Sequence, residues 1–166
     1  MITKIAILGA ECSGKSTLTK KLALQYKGIA VFEYLRYYCN IYSIPNNIEQ
    51  QIYIAKKQIE LEHIAVFTAL NGSNHISKPK LPKFIFCDTS PLLTYIYTLY
   101  YFNIDNLILK NLALYHHLTY QKTLLLAPLE WVADGQRDSR QAQYDIYILL
   151  LEKLKKFNIN FEYIAN

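Results

Sequence analysis

Residues 9–16 read GAECSGKS, and they constrain the fold of this chain more than any other segment does. They match the pattern GxxxxGK[ST] in full, between a short apolar run at 4–8 and an amphipathic segment at 16–26. Glycines at both ends of the pattern let the backbone turn its N–H groups inward around phosphate oxygens, and the following helix N-terminus adds its positive dipole end. We therefore predict a buried strand, a phosphate-binding loop and a helix, in that order.

The same loop predicts which groups hold a nucleoside triphosphate. Lys15 is expected to reach the β- and γ-phosphates, and the Ser16 hydroxyl is expected to bind Mg²⁺. The other loop positions expected in the nucleotide site are Gly9, Glu11, Cys12, Ser13 and Gly14.

The composition indicates a single soluble domain over residues 1–166, of which 52% are hydrophobic and 19% charged. No apolar stretch approaches the ~20 residues that a membrane helix needs. The N-terminal segment MITKIAILGA is expected to form a first strand and not a targeting peptide. Because the cysteines (Cys12, Cys39 and Cys87) show neither metal-binding nor disulfide spacing, a cytoplasmic location is expected.

The net charge of +5 comes from lysines scattered along the chain. No recognition-helix pattern or RNA-binding signature surrounds them. We therefore expect neither a specific nucleic-acid partner nor a membrane partner, and we assign the cations to solvated surface and to phosphate contacts.

Hydrophobic periods predict the remaining elements. Strands are predicted at 29–32, 84–87, 123–127 and 160–165, and helices at 47–70, 91–102, 106–115 and 144–156. The longest helix has a period through Ile48, Ile52, Ala55, Ile59 and His63, and a loop follows at 71–82. Strands that alternate with helices predict an α/β fold with a parallel sheet of about five strands and helices on both faces.

Two acidic residues stand at the ends of predicted strands: Glu33 follows the strand at 29–32, and Asp88 follows the strand at 84–87. The carboxyl ends of parallel strands meet at one edge of the sheet, so both carboxylates are expected beside the phosphate loop. One would hold Mg²⁺, and the other would accept the proton of an attacking hydroxyl. The sequence does not separate these two roles.

The segment 128–140 reads PLEWVADGQRDSR and resembles the lid of a kinase, at about 129–140. Arg137 and Arg140 are three residues apart, so on a helical turn they share a face and can grip a transferring phosphate. A surface ion-pair patch is the alternative for these arginines. Trp131, the only tryptophan, either stacks on a flat ring in the site or fills the core.

Five segments together resemble the ribosylnicotinamide kinase domain at the C-terminus of the bacterial NAD regulator NadR. They are GAECSGKST at 9–17, FEYLRYY at 32–38, YIAKKQ at 53–58, CDTSPL at 87–92 and WVADGQRD at 131–138. Their order and spacing cover most of the chain. The resemblance implies a three-layer P-loop kinase fold and transfer of the ATP γ-phosphate to the 5′-hydroxyl of nicotinamide riboside.

Carried over by position, the resemblance also assigns residues. For ATP and Mg²⁺ it implies Lys15, Ser16 and Thr17, with Asp88 beside the metal and the acceptor. For the acceptor pocket it implies Glu33 and Arg36, with Tyr53 and Gln58 as further contacts and Trp131 stacked on the nicotinamide ring. For the lid it implies Asp134, Arg137 and Arg140.

Two other functions remain open at this stage. P-loop kinases that act on a deoxynucleoside or a nucleoside monophosphate also carry acidic strand ends and lid arginines. A nucleotide-binding regulatory NTPase without a small acceptor would need only the loop itself.

Overall fold

The computed structural model describes residues 2–71, 83–131 and 139–164. In these residues, strands and helices follow one another as β1 (Thr3–Leu8), α1 (Lys15–Tyr26), β2 (Ile29–Val31), α2 (Tyr34–Ile41), α3 (Ile48–Asn71), β3 (Phe84–Asp88), α4 (Pro91–Phe102), α5 (Leu107–His117), β4 (Lys122–Leu126), α6 (Arg140–Lys156) and β5 (Glu162–Ile164).

The strands form one sheet in the order β2-β3-β1-β4-β5, and every neighbouring pair is parallel. β1 lies at the centre, with Ile7 opposite Asp88 of β3 and opposite Leu124 of β4. Because all strands run the same way, the segments that follow β1, β2 and β3 leave the sheet at the same edge. This arrangement confirms the predicted fold class.

Helices cover both faces of the sheet. The side chains of Ile5 and Ile7 pack against the apolar face of α1, whereas Ala6 and Leu8 face the cluster that α4, α5 and α6 build. A central parallel strand is apolar on both sides because neither face meets water. The uninterrupted run in β1 therefore places the following loop at the middle of the sheet edge.

The buried face of α3 differs from the face that its apolar period predicts. Its fully buried positions include the polar residues Gln51, Gln58 and Glu62, whereas His63 is exposed. The carboxylate of Glu62 accepts hydrogen bonds from Lys4 Nζ at 2.9 Å, from Tyr120 at 2.8 Å and, at 2.8 Å, pairs with His116 Nε2.

Burial alone would raise the pKa of Glu62, but its hydrogen bond to His116 and the charge of Lys4 lower that pKa below its ordinary value. A buried charge is tolerated in a protein when it is paired and hydrogen-bonded in this way. The group of Lys4, Glu62, His116 and Tyr120 is called the Glu62 cluster below.

Two helices differ from the sequence prediction by more than the few residues seen at the ends of other elements. Helix α2 was not predicted, and α6 begins four residues earlier than expected, at Arg140 and not at 144. The earlier start has a local cause, since the Ser139 hydroxyl caps the helix by accepting the Ala142 N–H at 3.1 Å. Among the helices of the described ranges, none is long and apolar enough to cross a membrane.

Candidate active site

The phosphate loop connects β1 to α1 through two glycines in unusual backbone conformations. Gly9 has φ 157°, and a Cβ there would lie 2.6 Å from the Ser13 hydroxyl and 2.8 Å from the Leu126 carbonyl oxygen. Gly14, at the N-cap of α1, has φ 81°. The backbone conformation of the loop therefore requires glycine at these two positions.

Replacing Gly9 with alanine is expected to destabilise the protein by about 1–3 kcal/mol, because the new Cβ meets atoms on both sides. ATP affinity is expected to fall as well, since the loop must open to relieve the clash. Denaturant unfolding and ATP titration measure the two effects. Gly28→Ala is the control. Its Cβ would lie 2.7 Å from the carbonyl oxygen of Phe84, a residue outside the phosphate loop, so stability is expected to fall and ATP affinity is not.

Lys15 is the first residue of α1, and it lies almost completely buried at 8% exposure. Its ammonium group donates to the Ala10 carbonyl oxygen at 2.8 Å, and the Ser13 hydroxyl donates to the same oxygen at 2.8 Å. The lysine head is thus folded into the concave side of the loop. A phosphate placed there would meet an ammonium group together with the N-terminus of α1.

The loop is held from the other side by the segment after β4. The Leu129 N–H donates to the Cys12 carbonyl oxygen at 2.8 Å. The Gln143 side chain, buried on α6, donates to the carbonyl oxygens of Glu11 at 2.8 Å and Leu129 at 3.2 Å. Gln143 was missed in the sequence, where a single glutamine in a helix carries no signal.

Asp88 is the last residue of β3 and is only 2% exposed. Its Oδ1 atom is buried and has no hydrogen-bond partner among the described residues. The next residue, Thr89, has φ 82°, and its N–H donates to the Ile7 carbonyl oxygen at 3.0 Å. The chain accepts an unfavourable conformation immediately after Asp88, and this fixes the carboxylate at the carboxyl end of the central strands.

Glu33 follows β2 and occupies the N-cap position of α2, where its side chain makes no capping hydrogen bond. The residue is half-buried and lines a cavity. Burial raises the pKa of Glu33, and the neighbouring carboxylates of Asp88 and Glu11 raise it further, while Lys15 and Arg36 lower it. Glu33, Asp88 and Lys15 lie at the same edge of the sheet and line one cavity.

A cavity of about 550 Å³ joins these groups. Its described lining includes ten of the residues predicted from the sequence: Glu11, Cys12, Ser13, Gly14, Lys15, Ser16, Thr17, Glu33, Arg36 and Asp88. It also includes five residues that the sequence interpretation missed: Lys20, Phe32, Leu35, Cys39 and Tyr97.

The missed residues come largely from helix faces. Leu35, Arg36 and Cys39 stand at the spacing that brings side chains to one side of α2, and that side faces the cavity. Tyr97 reaches the cavity from α4, and burial raises its pKa well above the ordinary value, with Glu33 adding to the effect. Because no helix was predicted over 34–41, the face that Leu35 and Cys39 share with the predicted Arg36 was not recognised in the sequence.

The other predicted residues within the described ranges do not line this cavity; they are Gly9, Tyr53, Gln58, Trp131 and Arg140. Gln58 is buried beneath α2, Tyr53 packs against Tyr34 and Tyr38 on the other side of that helix, and Arg140 is exposed at the start of α6. Trp131 is half-buried, and its indole Nε1 has no hydrogen-bond partner within the described part of the chain. Asp134 and Arg137 lie outside the described residues.

A second groove of about 860 Å³ lies behind α2, between that helix, α3 and the edge strand β2. Its walls include the aromatic side chains of Tyr34, Tyr37, Tyr42 and Tyr53. Glu33 and Phe32 border both this groove and the cavity. Helix α2 is therefore a wall with open space on each side.

The described residues contain no cluster of three or more His, Cys, Asp or Glu side chains that could hold a metal ion by themselves. Mg²⁺ in phosphate-transfer sites is usually bound by one or two protein groups together with substrate phosphates and water. Asp88 and Ser16 both line the cavity, and the buried Oδ1 of Asp88 has no hydrogen-bond partner among the described residues, so the pair fits that requirement.

The fold and the site together define a class. A parallel sheet in this strand order, whose central strand leads through the GxxxxGK[ST] loop into a helix, is an α/β P-loop kinase-like fold. The chain belongs to the AAA domain family, whose profile matches residues 4–166. No protein in a curated collection matches the sequence significantly.

Solved structures share this fold at low sequence identity. NadR protein in complex with NR has a TM-score of 0.74 at 17% identity, covering 99% of this chain and 46% of that one. NadR in complex with NAD and AMP-PNP has a TM-score of 0.70 at 16% identity, covering 99% and 45%. Thymidylate kinase from Ehrlichia chaffeensis has a TM-score of 0.65 at 15% identity, covering 98% and 92%.

The chain thus spans about half the length of the NadR structures that it matches. The resemblance to NadR that the sequence motifs predicted is confirmed at the level of the fold.

Proposed function

We propose that this protein transfers the γ-phosphate of ATP to the 5′-hydroxyl of nicotinamide riboside and so forms nicotinamide mononucleotide. The observation that carries the kinase part is the meeting of Lys15, Glu33 and Asp88 in one cavity at the edge of the sheet. A hydrolytic site would also use a second carboxylate, to activate water, so the preference for transfer to a small acceptor rests on the fold match to NadR and to thymidylate kinase.

Each group in the cavity has a part in this reaction. Lys15, together with the loop N–H groups and the N-terminus of α1, binds the β- and γ-phosphates and stabilises the charge that builds up as the phosphoryl group moves. Glu33 accepts the proton of the acceptor hydroxyl. The acceptor oxygen then forms a bond to the γ-phosphorus, the bond from that phosphorus to the β,γ-bridging oxygen breaks, and ADP leaves.

The two carboxylates are suited to different roles. The raised pKa of Glu33 makes its carboxylate a better proton acceptor than an ordinary one. Asp88, deeper and with an unpartnered oxygen, is suited to hold Mg²⁺ directly or through water, with Ser16 as the second protein group. Bound Mg²⁺ would supply charge neutralisation for the phosphate oxygens.

The choice of acceptor rests on the similarity to NadR. The five motif segments resemble NadR, and one structure with this fold is NadR in complex with NR. Both observations favour a pyridine nucleoside as the acceptor. The cavity itself is compatible with a flat nucleoside, since Leu35, Phe32 and Tyr97 border its carboxylates.

A substrate panel analysed by mass spectrometry tests the proposal. ATP and Mg²⁺ are incubated with nicotinamide riboside, with each deoxynucleoside and with nucleoside monophosphates. We expect a gain of one phosphate on nicotinamide riboside, with the largest kcat/KM of the panel. Phosphorylation of another acceptor alone, by protein that binds ATP, would contradict the proposed acceptor but not the kinase class.

One observation favours a nucleoside monophosphate as the second candidate acceptor. The thymidylate kinase structure is matched over 92% of its own length, so no large part of that enzyme lacks a counterpart here. Arg36 is exposed and lines the cavity from α2, and a guanidinium in that position suits an acceptor phosphate. Transfer to a monophosphate, lost on Arg36→Ala, would support this candidate.

A further inference from the structure

Gln58 was expected to touch the acceptor, but its contacts indicate a different role. Its side chain is 2% exposed and does not line the cavity. The Oε1 atom accepts the Tyr34 N–H at 2.9 Å, and the Nε2 group points to Glu62 Oε1 at 3.5 Å. The orientation of the amide follows from its partners, because a backbone N–H only donates and a carboxylate only accepts.

The Tyr34 N–H is the first amide of α2, and the first amides of a helix have no partner within it. An N-cap side chain accepts from the second or third amide of its helix, so it does not satisfy the Tyr34 N–H, and Glu33 at the N-cap makes no capping bond at all. Gln58, reaching across from α3, supplies the acceptor for the Tyr34 N–H. The Glu33 carboxylate is not used as a cap, and the residue lines the cavity.

We propose that Gln58 is a positioning residue for Glu33, and that the Glu62 cluster holds Gln58 in the orientation this requires. The peptide plane that joins Glu33 to Tyr34 is rigid and contains the Cα of Glu33, so an acceptor fixed on the Tyr34 N–H limits the directions in which the Glu33 side chain can leave the backbone. Glu62 contributes by accepting from Nε2, which excludes the flipped amide.

The other members of the Glu62 cluster hold the Glu62 carboxylate in place beside the Gln58 amide. Glu62 is 0% exposed and is bound by Lys4 from β1, His116 from α5 and Tyr120 after α5. A line of contacts thus runs from the central strand through Glu62 and Gln58 to the N-terminus of α2. The inference rests on the proposed function, because it gives Glu33 its position as the base.

Gln58→Leu removes the acceptor while keeping the volume of the side chain nearly constant. We expect kcat to fall by about 10-fold to 100-fold, as for a misplaced catalytic group, with the KM for ATP nearly unchanged. The Tyr34 amide is expected to exchange its hydrogen at least ~10-fold faster, as measured by NMR, because its bond is lost. Gln51→Leu is the matched control, since Gln51 is equally buried two turns earlier on α3 and its Oε1 has no partner among the described residues.

Gln58→Glu separates positioning from mere packing. At low pH the introduced carboxyl is protonated, so its carbonyl oxygen accepts from Tyr34 and its O–H donates to Glu62, as the amide does. At high pH it ionises beside the Glu62 carboxylate and this pattern fails. The ratio of its kcat to that of the unaltered enzyme should therefore fall as pH rises, while Lys4, His116 and Tyr120 are common to both proteins.

Equal kcat for Gln58→Leu and Gln51→Leu, or an unchanged Tyr34 exchange rate, would overturn the positioning role. If Gln58→Leu does not fold, a pH-independent ratio for Gln58→Glu would overturn it as well. Failure of the unaltered protein to phosphorylate any acceptor would instead contradict the proposed function, and the Tyr34 exchange rates would still decide whether Gln58 caps α2.

Discussion

Lys15→Ala is expected to lower ATP turnover by about 10³-fold or more, the size of effect seen when a preorganised charge on the transferring group is removed. Lys15 is the cation folded into the concave side of the loop, with its ammonium 2.8 Å from the Ala10 carbonyl oxygen. Without it, the β- and γ-phosphates lose the group that offsets their charge. Steady-state kinetics and ATP titration measure the loss.

Lys21→Ala is the control for this variant, because Lys21 lies exposed on the same helix and does not line the cavity. It removes the same charge from α1 and is expected to leave kcat and the ATP affinity unchanged. Retention of ATP binding and turnover by Lys15→Ala would show that the loop does not serve as a triphosphate site.

Glu33→Gln is expected to lower kcat by about 10²-fold to 10⁴-fold, the usual contribution of a general base. The unaltered enzyme should lose activity in acid as Glu33 becomes protonated, and the raised pKa places this acidic limb above the value of 4.5 that an ordinary glutamate has. The variant should lack the limb. A pH profile of kcat/KM for both proteins measures it.

Asp88→Asn distinguishes the two carboxylates. If Asp88 holds Mg²⁺, this variant should need a higher Mg²⁺ concentration for half-maximal rate and should keep the acidic limb. The opposite pattern, with the limb lost in Asp88→Asn and kept in Glu33→Gln, would exchange the roles of the two residues.

The dependence of thermal stability on pH gives an independent measure of the cost of burying the ionised Glu33 carboxylate. Because its pKa is raised in the folded protein, the ionised carboxylate disfavours folding, and this penalty appears as pH rises through the folded pKa. Glu33→Gln should therefore have a higher Tm than the unaltered protein at pH 7 to 8. The difference should disappear near pH 4, where Glu33 is protonated in both states. A Tm that is lower at every pH would mean that the carboxylate stabilises the fold.

The parts of the site that the sequence predicted are those with local signals. Each of these features is recognised from a few neighbouring residues. They are the apolar run of β1, the glycines of the loop and the acidic residues at the ends of β2 and β3. Parallel pairing then brings Glu33 and Asp88 to the loop. No knowledge of distant contacts is needed for this step.

The parts that the sequence did not predict depend on distant contacts. Glu62 is buried because its partners Lys4 and His116 come from positions 58 and 54 residues away, so the apolar period of α3 gave no sign that a polar face turns inward. Gln143 was missed for the same reason, since it meets the Glu11 carbonyl oxygen across 132 residues. Helix α2 has a single buried residue, Tyr38, which leaves no clear period to detect.

The position of α2 between two open spaces has a consequence for how the site adapts. Tyr38 is the only residue that α2 buries, whereas α4 buries eight, from Pro91 to Thr98. Local opening costs least where few apolar contacts are lost, so the amides of α2 should exchange hydrogen sooner than those of α4. Under the proposed function, the wall that carries Arg36 would yield to acceptors of different size, and acceptor selectivity would change through substitutions in α2.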